Sequence, residues 1–302
     1  MEERQRALRA GFERAEEEEP EQQTVMWTAS YDRNFERHLS DHNIWVRMGR
    51  SHHLPPFREP LNIGHIKEQV IQPRQSVEPS NAYLHAFRTH HNDATWEERF
   101  MKEIILPIIS GKTDITDESR FAFRNSRPVT SDETMTIAPH HYDGVEREHV
   151  HPAVLEVLDE LIITSDSLAA PVAPNFFLTV DAEAAEPPRR EATHQGAYGV
   201  QAMLALQNFG MEEPEYDNCA YTFSVTYRRG QLIIYCHHPS EPVTPDGRPI
   251  YTTTMIGGWN LLDAMEPFQE GVRAFRNVRD LAQRYRKQLV SEANARAEDV
   301  VA

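Results

Sequence analysis

A continuous apolar run at residues 174–180 predicts a strand inside a sheet. Its sequence, PNFFLTV, lacks the alternation expected of a strand with one solvent-facing side. Residues 189–209 then predict a helix that is rich in alanine and glycine. Small side chains allow a helix to lie close to a neighbouring layer, so we expect this helix to pack against the sheet.

Two amphipathic patterns predict further helices. After Asp93 or Thr95, either of which can cap a helix, Glu97 and Glu98 fall in the first turn. Apolar residues then follow at helical spacing as far as a glycine. Near the end of the chain, residues 266–294 carry one apolar stripe at helical spacing, which indicates a long helix with one buried face.

Shorter apolar or alternating segments predict five more strands: residues 119–125, 134–138, 221–227, 231–236 and 251–256. Arg228-Arg229-Gly230 joins two of them into a hairpin, and the last is expected at a sheet edge. A short helix is expected from Pro152. This order of elements predicts an α/β fold, with a mixed central sheet flanked by helices.

The N-terminal third has a different pattern. Residues 1–23 are mostly charged and include four glutamates at positions 16–19, a composition typical of disorder or a marginal helix. Prolines interrupt the loosely helical spacing of residues 24–90, which favours an arm with few regular elements. We therefore divide the chain into an acidic N-terminal segment and irregular arm, residues 1–90, and an α/β domain, residues 91–302.

Composition narrows the class of protein. No apolar run of about 18 residues exists, so we expect no membrane span, and the charged N-terminus is unlike a secretory signal. Two cysteines, Cys219 and Cys236, do not make a disulfide framework, which favours an intracellular location, cytoplasmic or nuclear.

The net charge of −16 argues against a nucleic-acid partner, because such binding depends on lysine and arginine neutralising phosphates. A modest basic cluster near the C-terminus still leaves open a protein that binds nucleic acid without cutting it. The candidate residues are Arg273, Arg276, Arg279, Arg284 and Arg286.

Several segments between about residues 93 and 295 carry a family resemblance. They are PNFFLTV, GAYGVQAMLALQNFG, EPEYDNCAYTFSVTYRRGQLIIYCHHPS, GRPIY and FQEGVRAFRNVRDLAQRYR. Together they resemble a family of uncharacterised fungal proteins, which is in turn similar to the restriction-endonuclease-like, or PD-(D/E)XK, nuclease superfamily. The resemblance implies a restriction-endonuclease-like core and is most specific over residues 174–230 and the last helix.

The resemblance also implies where an active site would be. In that superfamily a helix glutamate, an aspartate after proline, an acidic residue and a lysine surround magnesium and activate water. The helix glutamate corresponds to Glu97 or Glu98 here, so it is present. The aspartate corresponds to His140, which follows Pro139, so that carboxylate is replaced.

The remaining positions are also altered. Relatives end the central strand with Leu-Glu-x-Lys, whereas this chain has Thr179 and Asp181 in place of the glutamate and the lysine. Relatives open the next helix with Arg-Gln, whereas this chain has Arg190-Glu191. Thr179 is a poor metal ligand and Asp181 inverts the charge of the lysine, so we expect a catalytically inactive pseudoenzyme without cofactor or bound metal.

Two metal-binding alternatives stay open. A rearranged nuclease site would use Glu98, Asp143 and Asp181, and a rebuilt one would combine His140 and His141 with those two aspartates. Adjacent histidines also occur at residues 52–53, 90–91, 140–141 and 237–238. Such pairs are weak evidence for a metal site, because neighbouring residues on a strand point to opposite faces and rarely bind one ion together.

The leading hypothesis is a structural or protein-interaction component, such as a surface or accessory subunit of a larger assembly. Its contacts would be with a protein partner, or with further copies of itself, through the N-terminal arm. The alternatives are a divergent metal-dependent nuclease and a non-cleaving nucleic-acid binder.

Overall fold

The computed structural model describes residues 34–47, 58–74, 79–93, 109–110, 115–118, 122–130, 136–181, 188–244 and 247–301. Within them the protein is α/β, as predicted, with helices flanking one mixed sheet. The strands are β1 (Ile44–Arg47), β2 (Asp117–Glu118), β3 (His141–Val145), β4 (Val172–Asp181), β5 (Thr222–Arg228), β6 (Gln231–Ser240) and β7 (Ile250–Asn260). The α-helices are α1 (Phe35–Asp41), α2 (Ile63–Ile71), α3 (Asn81–Asp93), α4 (Pro152–Val157), α5 (Asp159–Ile162), α6 (Arg189–Asn208) and α7 (Met265–Val301).

The seven strands lie in the order β1-β7-β6-β5-β4-β3-β2. β4 runs parallel to β5 and β1 runs parallel to β7, whereas the other neighbouring pairs are antiparallel. β4 lies between β3 and β5, and its residues 172–180 are all buried, which confirms the predicted central strand. α6 provides the crossover between the parallel strands β4 and β5.

Two helices cover the two faces of the sheet. Phe176 of β4 packs edge-on against Phe275 of α7, with ring centroids 5.6 Å apart. On the opposite face the Thr179 hydroxyl donates a hydrogen bond to the side chain of Gln195 in α6. Successive β4 side chains therefore contribute to different layers, as the alternation of a strand requires.

Glycine allows α6 to lie unusually close to the sheet. A Cβ atom at Gly196 would lie 2.3 Å from the imidazole ring of His237, and one at Gly199 would lie 2.6 Å from the Thr222 methyl group. The expected close packing of this small-residue helix is confirmed. The predicted hairpin is confirmed too, since Arg229 and Gly230 turn with positive φ between β5 and β6.

The predicted last helix is confirmed and is longer than expected, because α7 extends over 37 residues. Near its end, Arg296 Nη1 donates to the carbonyl groups of Leu206, Gln207 and Phe209, at 3.4, 3.0 and 3.2 Å. Carbonyl groups in the last turn of a helix have no partner within the helix. Arg296 therefore supplies the polar partners for the end of α6.

The described part of the N-terminal arm is more regular than we expected. It contributes α1, β1, α2 and α3, so the prediction of few regular elements between residues 24 and 90 was wrong there. β1 pairs with residues 251–254 of β7, which makes the expected edge strand an internal one. Phe35 of α1 contacts the His194 ring of α6, and Arg74 forms an ion pair with Asp280 of α7 at 2.6 Å. This part of the arm packs on its own domain.

Two strand predictions between residues 119 and 138 were also wrong over the residues that the structure describes. Residues 122–125 and 136–138 form no strand, whereas β3 begins at His141. Phe123 donates one backbone hydrogen bond to Ile137, and both side chains join the same apolar cluster. The apolar spacing therefore reflects the packing of single side chains and not a ladder.

Other predictions lie outside the described residues. These are the charged segment at residues 1–23 and most of the helix expected after Thr95; Asp93, the other candidate cap, ends α3. Among the helices that the structure describes, none combines the length and the apolar character needed to cross a bilayer.

Candidate functional site

The end of β4 is where the family resemblance places an active site. β3 and β4 pair with His141 opposite Leu178, so the next step of this antiparallel register places His140 beside Thr179. The Val180 amide donates to His140 Nδ1 at 3.3 Å. The structure thus brings together His140 and Thr179, an imidazole and a hydroxyl at the two positions that the resemblance aligns with carboxylates.

Thr179 belongs to a short chain of hydrogen bonds under α6. Its hydroxyl donates to Gln195 Oε1 at 3.2 Å, and Gln195 Nε2 donates to Glu191 Oε1 at 2.7 Å. Thr179 and Gln195 are fully buried and Glu191 is half-buried. Three of the altered positions, His140, Thr179 and Glu191, therefore lie at one place in the fold. Sequence reasoning did not identify Gln195, which links two of them.

The other predicted site residues are less fully described. Asp181 is the last residue of β4 and pairs with Arg228 of β5 in the ladder, while its side chain lies outside the description. Glu97 and Glu98 also lie outside the described residues.

A cavity of about 280 Å³ lies beside the start of α6, between that helix, α1 and β1. Glu36 Oε1 lies 2.8 Å from Arg189 Nη2 and 3.2 Å from Arg190 Nε. Burial raises the pKa of Glu36, but hydrogen bonds from the two arginines outweigh burial and lower that pKa below its ordinary value. The arginines therefore share a carboxylate of the same chain, which reduces their attraction for a phosphate.

A second polar cluster lies on the opposite face of the sheet, against α7. Arg279 Nε and Nη2 each donate to one carboxylate oxygen of Asp143, at 2.7 and 2.8 Å. Nη2 also donates to Asp117 Oδ2 at 2.7 Å. His141 Nε2 forms a hydrogen bond with Asp143 Oδ1 at 3.0 Å and lies 3.2 Å from Arg279 Nη2. We refer to Asp117, His141, Asp143 and Arg279 as the Arg279 cluster.

The charges of this cluster stabilise each other. Burial raises the pKa of Asp143, but hydrogen bonds from His141 and Arg279 outweigh it and lower that pKa to about 2. Burial lowers the pKa of Arg279, but Asp143 and Asp117 raise it above its ordinary value. The carboxylate and the guanidinium are thus both charged at neutral pH, and Asp143 is fully engaged by its bidentate arginine partner.

A second buried arginine lies one helical heptad further along α7. Arg286 is 1% exposed and donates to Asn175 Oδ1, while the Asn175 amide donates to the carbonyl groups of Tyr221 and Ala282, both at 2.8 Å. Burial lowers the pKa of Arg286 to about 10. Arg286 Nη1 also lies 3.5 Å from the backbone carbonyl oxygen of Asp143, so Arg286 adjoins the Arg279 cluster.

The structure separates the residues of the proposed rebuilt metal site. His141 and Asp143 lie together on the α7 face, whereas His140 bonds to the Val180 amide instead of joining them. Within the described part of the chain, the metal-ligand types that converge are Asp117, His141 and Asp143. Sequence reasoning named His141 and Asp143 as possible metal ligands and missed Asp117, and it named Arg279 only as a candidate for binding nucleic acid.

The proposed basic set is not a continuous surface. Arg279 and Arg286 are buried and bound inside the fold, and the Arg276 side chain donates to the Ile109 carbonyl at 2.7 Å. Arg284 donates to Gln69. The five arginines therefore do not present five cations to a phosphate backbone.

A third polar group resembles a catalytic arrangement but has no access. Ser224 Oγ lies 2.7 Å from His237 Nε2, and His237 Nδ1 lies 2.9 Å from Thr253 Oγ1. All three residues are buried, and Gly196 of α6 lies directly on the His237 ring. A serine nucleophile must reach a substrate, so we interpret these bonds as cross-strand links within the core.

Comparisons with protein-family models, with curated proteins and with solved structures found no match to this chain. The resemblance to the fungal family and to the PD-(D/E)XK superfamily therefore stays a prediction.

Proposed function

We propose that this chain is a non-catalytic protein with a nuclease-like core, and that it acts as a structural or protein-interaction component. The proposal depends mainly on one observation, the chemistry and burial of Thr179. Metal-dependent nucleases need a carboxylate at this position to hold a hard cation that water can reach. Thr179 offers a neutral hydroxyl that is 1% exposed and bonded to Gln195.

The neighbouring positions support the same proposal. His140 accepts a hydrogen bond from the Val180 amide, and Glu191 accepts one from Gln195. Both side chains are thus engaged in local hydrogen bonds. On the other face, Asp143 is engaged by Arg279 and is not available to a metal unless that pair separates.

The interaction surface in this proposal lies in the N-terminal arm, residues 1–90. Part of this arm packs against its own sheet and α7, through the pairing of β1 with β7 and the ion pair between Arg74 and Asp280. Contacts with other molecules would use the remainder of the arm. The overall charge of −16 disfavours nucleic acid as the partner. We further propose an intracellular location, cytoplasmic or nuclear, and no cofactor.

A cleavage assay tests the non-catalytic part of this proposal. The full chain is incubated with single- and double-stranded DNA and RNA in Mg²⁺ and, separately, in Mn²⁺. We expect no cleavage above that of a heat-denatured sample. Reproducible cleavage that Glu98→Ala abolishes, in a variant with unchanged circular dichroism, would establish an enzyme and remove the proposal.

Cross-linking tests the interaction part. The full chain is cross-linked in extract of its own cells, and linked peptides are identified by mass spectrometry. We expect links from the N-terminal arm, residues 1–90, to another protein or to a second copy. If every link from the arm stayed within one chain, the interaction role of the arm would be contradicted.

A metal-dependent nuclease with a rearranged site is the second candidate. One observation favours it, although it shares only Asp143 with the predicted set of Glu98, Asp143 and Asp181. The ligating atoms of Asp117, His141 and Asp143 lie within 4.8 Å of one another. The bidentate contact between Asp143 and Arg279 weighs against it, because the metal would have to displace a buried cation. The cleavage assay decides between the two candidates.

A further inference from the structure

The Arg279 cluster has the geometry of a cation site. Its central atom, Arg279 Nη2, lies 2.7 Å from Asp117 Oδ2, 2.8 Å from Asp143 Oδ1 and 3.2 Å from His141 Nε2. Three side chains from the adjacent strands β2 and β3 thus converge on one positively charged group that comes from α7. Each of these three side chains is also of a type that binds metal ions.

Electrostatics explains why this place requires a cation. Asp143 is 0% exposed and would be a buried, uncompensated charge without a positive partner. Such a charge strongly destabilises a fold unless it is paired. Asp117 adds a second carboxylate at the same point, with its side chain 37% exposed.

We propose that Asp117, His141 and Asp143 form a cation site that the chain fills with its own Arg279 side chain, and that a divalent transition-metal ion occupies this site when the guanidinium is removed. The inference concerns the α7 face of the sheet and does not depend on the proposed function.

The ligand types determine which ions fit. One imidazole and two carboxylates suit Zn²⁺, Co²⁺ or Mn²⁺, whereas Mg²⁺ and Ca²⁺ prefer oxygen ligands alone. Asp117 gives the ion a route from solvent, because it is the exposed member of the three. In the native chain Arg279 is further held by the nearby Phe176 ring, whose centroid lies 6.0 Å from the guanidinium carbon. We therefore expect the native chain to leave this site closed to metal.

The test compares the native chain with Arg279→Met, which keeps an unbranched side chain and removes the charge. Calorimetric titration with Zn²⁺ should show one site in Arg279→Met that the native chain lacks. Co²⁺ should give a visible absorption band in the variant alone, and Zn²⁺ should raise its melting temperature. Mg²⁺ at the same concentration should do neither.

The matched control is Arg279→Met combined with Asp117→Asn, which removes one ligand at the exposed end of the cluster. Its Zn²⁺ affinity should fall more than about tenfold, since even changes around metal ligands weaken binding 10- to 100-fold. Binding by surface histidines would be the same in all three proteins. A folded Arg279→Met variant whose Zn²⁺ and Co²⁺ titrations match those of the native chain overturns the proposal.

Arg279→Met can also fail to fold without metal, because it leaves Asp143 unpaired. The variant is then refolded from urea with Zn²⁺, with Mg²⁺ and with no added ion. The proposal requires that Zn²⁺ alone restores the circular dichroism spectrum of the native chain. Failure of Zn²⁺ to restore it would overturn the proposal equally.

Discussion

At the scale of single residues, Gly196 determines how closely α6 approaches the sheet. An alanine there would place its methyl group 2.3 Å from the His237 ring and disturb the bonds from His237 to Ser224 and Thr253. Although alanine favours a helix by about 1 kcal/mol over glycine, overpacking a core costs about 1–3 kcal/mol. We therefore expect Gly196→Ala to lower the free energy of unfolding, measured by urea denaturation.

Gly64 provides the matched control. It lies exposed in α2, and a Cβ atom there would meet no atom within 4 Å. Gly64→Ala should leave stability unchanged or raise it by up to about 1 kcal/mol. If Gly196→Ala raised stability in the same way, the close packing of α6 on His237 would be wrong.

The polar residues of the core show what sequence alone could not supply. Arg279 and Arg286 occur within the apolar stripe of α7, beside Phe275 and Ala282, and a buried arginine in such a stripe requires an acceptor. The sequence therefore indicated that the two arginines need buried acceptors, but it did not indicate which residues the acceptors are. Asp143 precedes Arg279 by more than 100 residues in the chain, and no local pattern connects the two.

At the scale of elements, the contact between the ends of α6 and α7 depends on Arg296. Its guanidinium donates hydrogen bonds to three carbonyl groups at the C-terminus of α6. Hydrogen bonds from a charged donor are worth about 1.5–3 kcal/mol, and partial exposure of Arg296 reduces this value. We expect Arg296→Met to lower the free energy of unfolding by about 1 kcal/mol, measured by chemical denaturation.

Arg284→Met is a suitable comparison, because Arg284 also lies on α7 but makes its contact with Gln69 in an exposed position. Substitutions of this kind usually change stability by less than about 0.5 kcal/mol. If the two variants lost the same free energy of unfolding, the carbonyl contacts of Arg296 would contribute no more to stability than an exposed contact does.

Elements with a strong apolar pattern were predictable, and polar or very short ones were not. β4, α6, the β5–β6 hairpin and α7 each have a sequence that one secondary structure explains. β3 has the sequence HYDGV, which lacks an apolar pattern because Asp143 inside it is buried against an arginine. β1 has four residues, and its pairing with β7 is visible only in three dimensions.

At the scale of the whole molecule, buried histidines make stability depend on pH. Burial lowers the pKa of His194 and of His237 to about 3, and that of His238 to about 4. In the unfolded chain a histidine has a pKa of about 6.5, so below this pH the unfolded state binds protons that the folded state does not. Stability is therefore fully present above about pH 6.5 and decreases as the pH falls towards 4.

Each buried histidine contributes a slope of up to about 1.4 kcal/mol per pH unit in this window. Replacing His194 with phenylalanine keeps an aromatic ring between Phe35 and Tyr198 and removes the titrating group. Urea denaturation of His194→Phe between pH 6 and 4.5 should therefore show a smaller loss of stability than the native chain shows. An unchanged slope would contradict the buried, neutral state of His194, and exposed His85→Gln serves as the control substitution.

The pairing of β1 with β7 also affects how the molecule is made. The two strands lie about 200 residues apart in the chain, and parallel pairing over such a separation is slow because a large loop must close first. During synthesis β1 leaves the ribosome about 200 residues before β7, which is the last described strand of the sheet in chain order. The edge of the sheet is thus completed only after β7 has been synthesised, and until then β1 lacks its strand partner.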